Sequence, residues 1–253
     1  MRIHTATITE TTMIRSGVQL LALHAPNLAQ TVQPGQFCMV RCCPADASDP
    51  LLRRPFYVHG VNRSRGTCTF YVHVQGRGTR WLASQPEGAV LDILGPLGHG
   101  WTLRSTTRNA LLFAEERSIS ALTLLAQVAL EQDIAVTLIN QSRTIEESYP
   151  PALLSPEIEY RVVTEQQDKN LLQTLTEVLP WADATYSSVS HETSLALYTR
   201  FERLRARNFA QGIITRPLIC GTGVCFACSV ETHSGQRLVC RDGPVFDLRD
   251  IVR

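Results

Sequence analysis

Four cysteines in the C-terminal part of the chain have the type and spacing to hold metal: Cys220-Gly221-Thr222-Gly223-Val224-Cys225-Phe226-Ala227-Cys228, with Cys240 further along. Four intervening residues, then two, with a distant fourth thiol, is the spacing of plant-type [2Fe-2S] sites. Cys220, Cys225 and Cys228 on one tight loop can wrap an iron-sulfur rhomb, and Cys240 can close it from a separate element. Gly221 and Gly223 let the backbone approach the sulfides and adopt positive φ, so that loop N–H groups can bond to sulfur. The competing metal chemistry is a structural zinc site, which ordinarily uses two C-x2-C knuckles in place of one C-x4-C-x2-C loop. A disulfide account is weaker still for a protein expected in a reducing compartment.

The remaining cysteines, Cys38, Cys42, Cys43 and Cys68, lie in apolar, strand-like surroundings and read as small buried hydrophobes without a second cluster spacing. In 253 residues there are 24 basic and 23 acidic side chains, a formal net charge of +1. No large field is available to gather nucleic acid or an anionic membrane. The first residues, Met1 to Thr5, alternate like a strand and lead into no apolar leader, and no apolar run has membrane-spanning length. A cytoplasmic protein is the expectation.

Two larger patterns precede the cysteine tail. Up to about Leu103 the chain reads as short alternating strands, among them Thr5 to Glu10, Val18 to Ala25, Phe37 to Cys42, Phe56 to Val61, Thr67 to Val74 and Val90 to Leu94. Turn residues such as Pro34-Gly35, Arg65-Gly66, Gly76 and Gly78 separate them, the signature of a small antiparallel β-barrel. From Asn109 the pattern becomes strand, helix, strand: Asn109 to Ala114, Ile119 to Gln132, Ala135 to Asn140. Further strands at Glu159 to Val163 and Ala184 to Val189, with helices at Asn170 to Leu179 and Glu192 to Arg205, predict a doubly wound α/β layer. The expected division is a barrel over 1–104, an α/β domain over 105–211 and a cluster domain over 212–253. That tail is too short to build its own core and should depend on its cluster for order.

With the cysteine tail and Asp242-Gly243-Pro244-Val245-Phe246, Arg53-Arg54-Pro55-Phe56, Gly78-Thr79-Arg80-Trp81-Leu82 and Gly95-Pro96-Leu97-Gly98-His99-Gly100 in view, the chain resembles the electron-transfer subunits of dihydroorotate dehydrogenase, within the ferredoxin reductase-like superfamily. The likeness runs through the whole length. It implies a six-stranded barrel and a nucleotide-binding α/β domain that share an FAD, and a [2Fe-2S] domain that relays electrons to a flavin in a separate catalytic subunit. Arg54, Pro55, Phe56 and Tyr57 match the segment along the flavin, where an arginine can neutralise a phosphate. Tyr71, Val72 and His73 match the next flavin-contacting strand, and Gly78 and Thr79 the loop that cradles the pyrophosphate. Tyr57 departs from the serine common in the family, and a tyrosine there could stack or obstruct. Alone, an Arg-Arg pair is ordinarily a solvated surface feature, and Gly76-Arg77-Gly78-Thr79 only a turn.

The nicotinamide elements of the family are altered. Where it has a glycine-rich loop ending in proline, this chain has Ala114-Glu115-Glu116-Arg117-Ser118-Ile119-Ser120-Ala121-Leu122. Two carboxylates suit a helix N-terminus but oppose a pyrophosphate and fill the space that glycine leaves, while Arg117 offsets part of the repulsion. The family's Cys-Gly-Pro after a late strand reads Ser188-Val189-Ser190. NAD(H) is therefore expected to bind weakly or not at all.

The expected function is an electron-transfer subunit working through FAD and a [2Fe-2S] cluster, to or from a dihydroorotate dehydrogenase-type FMN subunit in pyrimidine biosynthesis. The expected assembly is a heterotetramer. No residue is proposed as acid or base, because the cofactors carry the chemistry. Two alternatives stand beside it. One is the flavin and iron-sulfur subunit of another NAD(P)H or ferredoxin oxidoreductase; the other is a redox-silent scaffold with a zinc site.

Overall fold

In the computed structural model, residues 2–164 and 170–251 are described. The first half forms strands β1 (Arg2–Arg15) and β2 (Val18–His24), helix α1 (Pro26–Thr31), and strands β3 (Phe37–Val40), β4 (Arg54–Tyr57), β5 (Gly60–Asn62) and β6 (Thr67–His73). Helix α2 (Arg77–Ala83) and strand β7 (Val90–Leu97) complete it. The strands pair antiparallel in the order β4-β3-β7-β1-β2-β6-β5, and β4 also lies against β6, curling the sheet toward a barrel. Period-two alternation decides what fills it. On β6, Cys68, Phe70 and Val72 join Cys38, Val40 and Ile93 in the barrel core, while Thr69, Tyr71 and His73 occupy the alternate positions. Cys38 and Cys68 are thus buried hydrophobes, and burial pushes the Cys68 thiol up to about 12. The single strand expected from Phe56 to Val61 is broken between Tyr57 and Gly60, where His59 turns into a hydrogen-bonded contact with the second half of the molecule.

That second half begins with β8 (Asn109–Glu115), a 3-10 turn over Glu116–Ala121, α3 (Thr123–Leu130), β9 (Ala135–Ser142) and β10 (Glu159–Thr164). It continues through α4 (Leu171–Val178), β11 (Ala184–Ser188), α5 (His191–Arg200) and β12 (Ala210–Ile213). Buried Ala110, Leu111, Leu112, Phe113 and Ala114 make β8 the apolar run required of a parallel strand covered on both faces. Helix α4 opens with a reciprocal cap: the Asn170 side chain accepts from Gln173 N at 3.0 Å, and Gln173 Oε1 accepts from Asn170 N at 2.9 Å.

The tail adds the hairpin β13 (Ser229–Thr232) and β14 (Gly235–Leu238), then α6 (Val239–Asp242), β15 (Val245–Asp247) and α7 (Leu248–Ile251). The second sheet runs β10-β9-β8-β11-β12-β15, parallel except for β15, which pairs antiparallel with β12. The cysteine-bearing tail is therefore sewn into this sheet by its last strand. The strand order reverses between β8 and β11, and the loops after them face each other across the switch point where open α/β sheets bind ligands. Among the described residues no helix is long and apolar enough to cross a membrane.

Candidate cofactor sites

The cysteine loop rests on the barrel. Gly221 (φ +72°) and Gly223 (φ +85°) take the left-handed conformation, and a Cβ at Gly221 would lie 2.7 Å from Met39 Cγ of β3. Only glycine allows this approach. The glycine-rich stretch after β7 grips the other side of the tail: His99 N donates to Gly243 O at 2.5 Å, and Gln36 Nε2 fixes Gly98 O at 2.8 Å. Gly95 to Gly100 thus positions the cluster segment against the barrel.

The four thiols form two pairs. Cys228 Sγ and Cys240 Sγ are 3.3 Å apart and buried, and Cys240 N donates to Cys228 Sγ at 3.4 Å. Burial, together with Cys228, pushes the Cys240 thiol up to about 12. At the other pair, burial raises the Cys220 thiol, but the N–H groups of Thr222 and Cys225 and the Cys225 side chain outweigh it and bring Cys220 down to about 5. Thr222 N lies 3.4 Å from Cys220 Sγ. Among the described residues no three metal-binding side chains converge as a single ion requires. Two thiol pairs suit two irons, each held by two of the cysteines. The donor set fits a [2Fe-2S] cluster.

The flavin-matched residues divide in two. Arg54 lies beside Gly78, whose missing Cβ would sit 3.3 Å from Arg54 Nε and 3.2 Å from Cys42 Cβ, so the glycine leaves room next to a guanidinium. The Arg54 Nη1 atom donates to Leu52 O at 2.7 Å. The Thr79 hydroxyl accepts from Gln75 N at 2.8 Å and Gly76 N at 3.0 Å, which commits it to its own turn. Pro55 is exposed, and Phe56 stacks on Phe70 at 5.7 Å. Tyr57 meets Phe37 edge-on at 6.4 Å and belongs to the apolar cluster that contains Met39, Cys228 and Cys240. The flavin-matched strand and the cysteine site therefore share one core.

On β6, Val72 turns into the barrel core, so only its backbone is available to a ligand on the outer face. Tyr71 and His73 are 5.1 Å apart, and Tyr71 Oη and His73 Nε2 are buried without a hydrogen-bond partner among the described residues. Burial, with Arg117 and Arg15 nearby, lowers the His73 imidazole to about 4. Orphaned polar atoms on this strand, and the room that Gly78 leaves beside Arg54, are features a bound dinucleotide such as FAD could satisfy. Beside them, His59 stacks on Tyr71 at 5.5 Å, and its Nε2 lies 2.6 Å from Tyr149 Oη. This contact, from the loop after β9, fixes the two halves to each other and is not detectable from sequence spacing.

The switch point is bridged by the chain itself. The Glu115 carboxylate accepts from Ser190 N at 2.6 Å and from the Thr193 hydroxyl in the first turn of α5. The Ser118 hydroxyl donates to Ser188 O and lies 2.6 Å from Glu115 O, which tightens the turn and keeps Glu116–Ala121 from continuing α3. The side chain of Glu116 lies outside the described residues.

Comparison with known proteins places these observations. Residues 216–252 match the family model of the iron-sulfur cluster binding domain of dihydroorotate dehydrogenase B. A dihydroorotate dehydrogenase B (NAD(+)) electron transfer subunit from Geobacillus thermodenitrificans (strain NG80-2) is 29% identical, with 97% of each chain covered. That of Desulforamulus reducens is 26% identical over 95% of this chain and 94% of its own. This chain resembles the electron transfer subunits of dihydroorotate dehydrogenase B. Its fold is ferredoxin reductase-like: the structure of an NADH-dependent reduced ferredoxin-NADP oxidoreductase superposes with a TM-score of 0.78 at 22% identity, covering 97% of this chain and 89% of that one. The family model covers the tail, and the similarity to the relatives extends over nearly the whole chain.

Proposed function

We propose that this chain is an electron-transfer subunit of the dihydroorotate dehydrogenase B type, carrying electrons between FAD on the barrel and a [2Fe-2S] cluster in the tail, to or from an FMN-bearing catalytic subunit of pyrimidine biosynthesis. The observation that carries the reading is the contact of Cys228 with Cys240 in a core shared with Tyr57, with Cys220 and Cys225 brought together on the loop outside it. When bound, the two cofactors supply reversible electron transfer, and the protein supplies binding, orientation and electrostatics.

Each residue then has a physical role. The four cysteines hold iron as thiolates, with Cys220 predisposed to ionise and Thr222 N donating toward sulfur. Arg54 supplies charge for a phosphate beside the Gly78 recess, and Gly78 and Thr79 contribute backbone N–H groups. Tyr71 and His73 offer unpartnered polar atoms to the flavin, Val72 its backbone, and Pro55 to Tyr57 the opposite wall. Tyr57, Phe37 and Met39 exclude water between the two sites. Around the cluster loop, Cys225 is exposed together with Val224 (75%) and Phe226 (62%), an apolar rim suited to docking a catalytic subunit over the metal. A heterotetramer of two such subunits and two catalytic ones is the proposed assembly.

The α/β domain serves in this reading as scaffold, with little or no affinity for NAD(H). The Glu115 carboxylate takes the place at the α5 N-terminus that a pyrophosphate would otherwise occupy. The relatives' names include NAD(+), so this chain is proposed to differ from them at that step. The test is an anaerobic visible spectrum with iron, sulfide and flavin analysis of the protein co-purified with its catalytic partner. Two irons and one FAD per subunit are expected; a colourless protein with one zinc would overturn the reading.

A further inference from the structure

The edge of the barrel sheet is closed by a side chain. Gln127 of α3 accepts from Val61 N at 3.3 Å and donates to Val61 O at 2.8 Å, in the manner of a neighbouring strand. Beside this contact the two halves of the molecule stand apart and leave a cavity of about 650 Å³, a volume typical of small-molecule sites. Its walls are largely apolar: Leu20 of β2, Leu130 of α3, and Leu153, Leu154 and Ile158 of the segment leading into β10. Ile158 is buried, and the four leucines are only half-buried. Thr67 and Thr69 face in from β6, at the positions that alternate with Cys68 and Phe70 of the barrel core. The charges around the cavity have one sign. Glu131 and Glu157 line it, and no lysine or arginine does. His59, also in the wall, is held neutral by burial, which lowers its imidazole to about 4, and both its ring nitrogens are engaged. Gln127 Nε2 donates to Glu131 Oε1 at 3.0 Å, fixing that carboxylate at the end of α3, where the helix dipole is also negative. Glu157 pairs with no described cation.

We propose that this cavity is a binding site for a small apolar ammonium ion, an alkylamine or arylalkylamine whose hydrocarbon body lies among the leucines and whose charged end meets Glu157 and Glu131 at the rim. Charge and polarity select this class. A carboxylate or phosphate would approach two like charges with no cation to answer it. A neutral hydrocarbon would gain the walls and nothing from the rim, and a fully polar cation would gain the rim and nothing from the walls. Because Leu20 and Thr67 come from the barrel and Leu130, Leu154 and Ile158 from the other half, an occupant also ties the two halves together, alongside the His59–Tyr149 contact. The cavity contains none of the cluster cysteines and none of the residues matched to the flavin, so the inference does not rest on the electron-transfer reading.

The test uses the holoprotein at neutral pH and fixed ionic strength, titrated with hexylamine, hexanol and hexanoate and followed by saturation-transfer NMR of the ligand. Hexylamine is expected to bind saturably and about fivefold tighter than hexanol, with hexanoate weaker than both. Each methylene added between butylamine and hexylamine should tighten binding about fourfold. Glu157→Gln should remove most of the preference for amine over alcohol and leave hexanol binding unchanged. Thr67→Phe, which fills the cavity from the barrel side, should weaken amine and alcohol alike by roughly tenfold. Unchanged cluster and flavin absorption in both variants is the control for folding. No saturable binding of hexylamine at millimolar concentration would overturn the proposal, as would hexanol or hexanoate binding as tightly as hexylamine. Equal hexylamine affinity in the parent protein and both variants would place the amine elsewhere and overturn it too.

Discussion

Glu115 Oε2 accepts a hydrogen bond from Ser190 N at 2.6 Å, so a carboxylate from the last residue of β8 caps the helix that follows β11. The contact spans the point where strand order reverses, and it satisfies a helix N-terminus from within the chain. Its loss should have opposite effects on stability and on binding. Glu115→Ser is expected to cost about 1.5–3 kcal/mol, the range for hydrogen bonds to a charged group, and to improve NADH binding by roughly tenfold or more. Urea unfolding and stopped-flow reduction by NADH measure the two effects. Fast stoichiometric flavin reduction by NADH in the unmodified protein would show that Glu115 closes nothing.

The thiol pairs make a selective prediction. Cys225→Ser and Cys228→Ser should each lose the visible cluster absorption and most of the iron, while Cys42→Ala and Cys68→Ala should retain both, because the latter thiols lie in the barrel core. The cluster loop packs few side chains of its own, with Val224 and Phe226 exposed. Chelation of iron should therefore expose 219–228 to protease before the barrel is cut. Retention of iron in Cys225→Ser would contradict the pairing.

Local chemistry was readable from the sequence, and long-range contacts were not. The cysteine spacing is legible because three of the four thiols are close in the chain, and the apolar run Asn109–Ala114 is legible as β8 because a parallel strand is buried on both faces. Helix Ile119 to Gln132 was drawn too long because Ser118, bonded to Ser188 O from across the sheet, holds the first turn as 3-10. The helix placed over Glu192 to Arg205 ends at Arg200 and gives way to a 3-10 turn. The sequence places Glu115 at the N-terminus of the helix that follows β8, whereas the structure turns its carboxylate to Ser190 N at the start of α5, a partner remote in sequence. Arg15 and Tyr149 carried no local signal, because each matters only where the barrel meets the sheet.

The buried His59 gives the protein an acid-sensitive joint. Burial lowers its imidazole to about 4 from 6.5, with Nδ1 3.0 Å from Thr69 Oγ1 and Nε2 2.6 Å from Tyr149 Oη. Between pH 6.5 and 4 the unfolded chain binds a proton that the folded one refuses. Stability from this group is complete above pH 6.5 and falls by at most about 3 kcal/mol as the pH drops toward 4. His73 is depressed in the same direction and adds to the slope. Urea midpoints at pH 7.5 and pH 5 should therefore converge in His59→Gln relative to the parent protein. Parallel shifts in the two proteins would remove His59 from the account.

Gly78 tests the flavin assignment without touching the cluster. Its backbone φ lies outside the left-handed region, so a side chain is resisted only by what it meets, Cys42 Cβ at 3.2 Å and Arg54 Nε at 3.3 Å. Valine would push the Arg54 guanidinium out of the recess and occupy the space beside it. Gly76, where an added Cβ meets nothing within 4 Å, supplies the control. In Gly78→Val the flavin-to-iron ratio of the purified protein should fall, with FAD affinity reduced roughly tenfold or more, while Gly76→Ala keeps the parent ratio. Iron should be unchanged in both, because Gly221 of the cysteine loop packs on Met39 of β3 and Leu97 of β7. An unaltered flavin ratio in Gly78→Val would move the phosphate site away from Arg54 and Gly78.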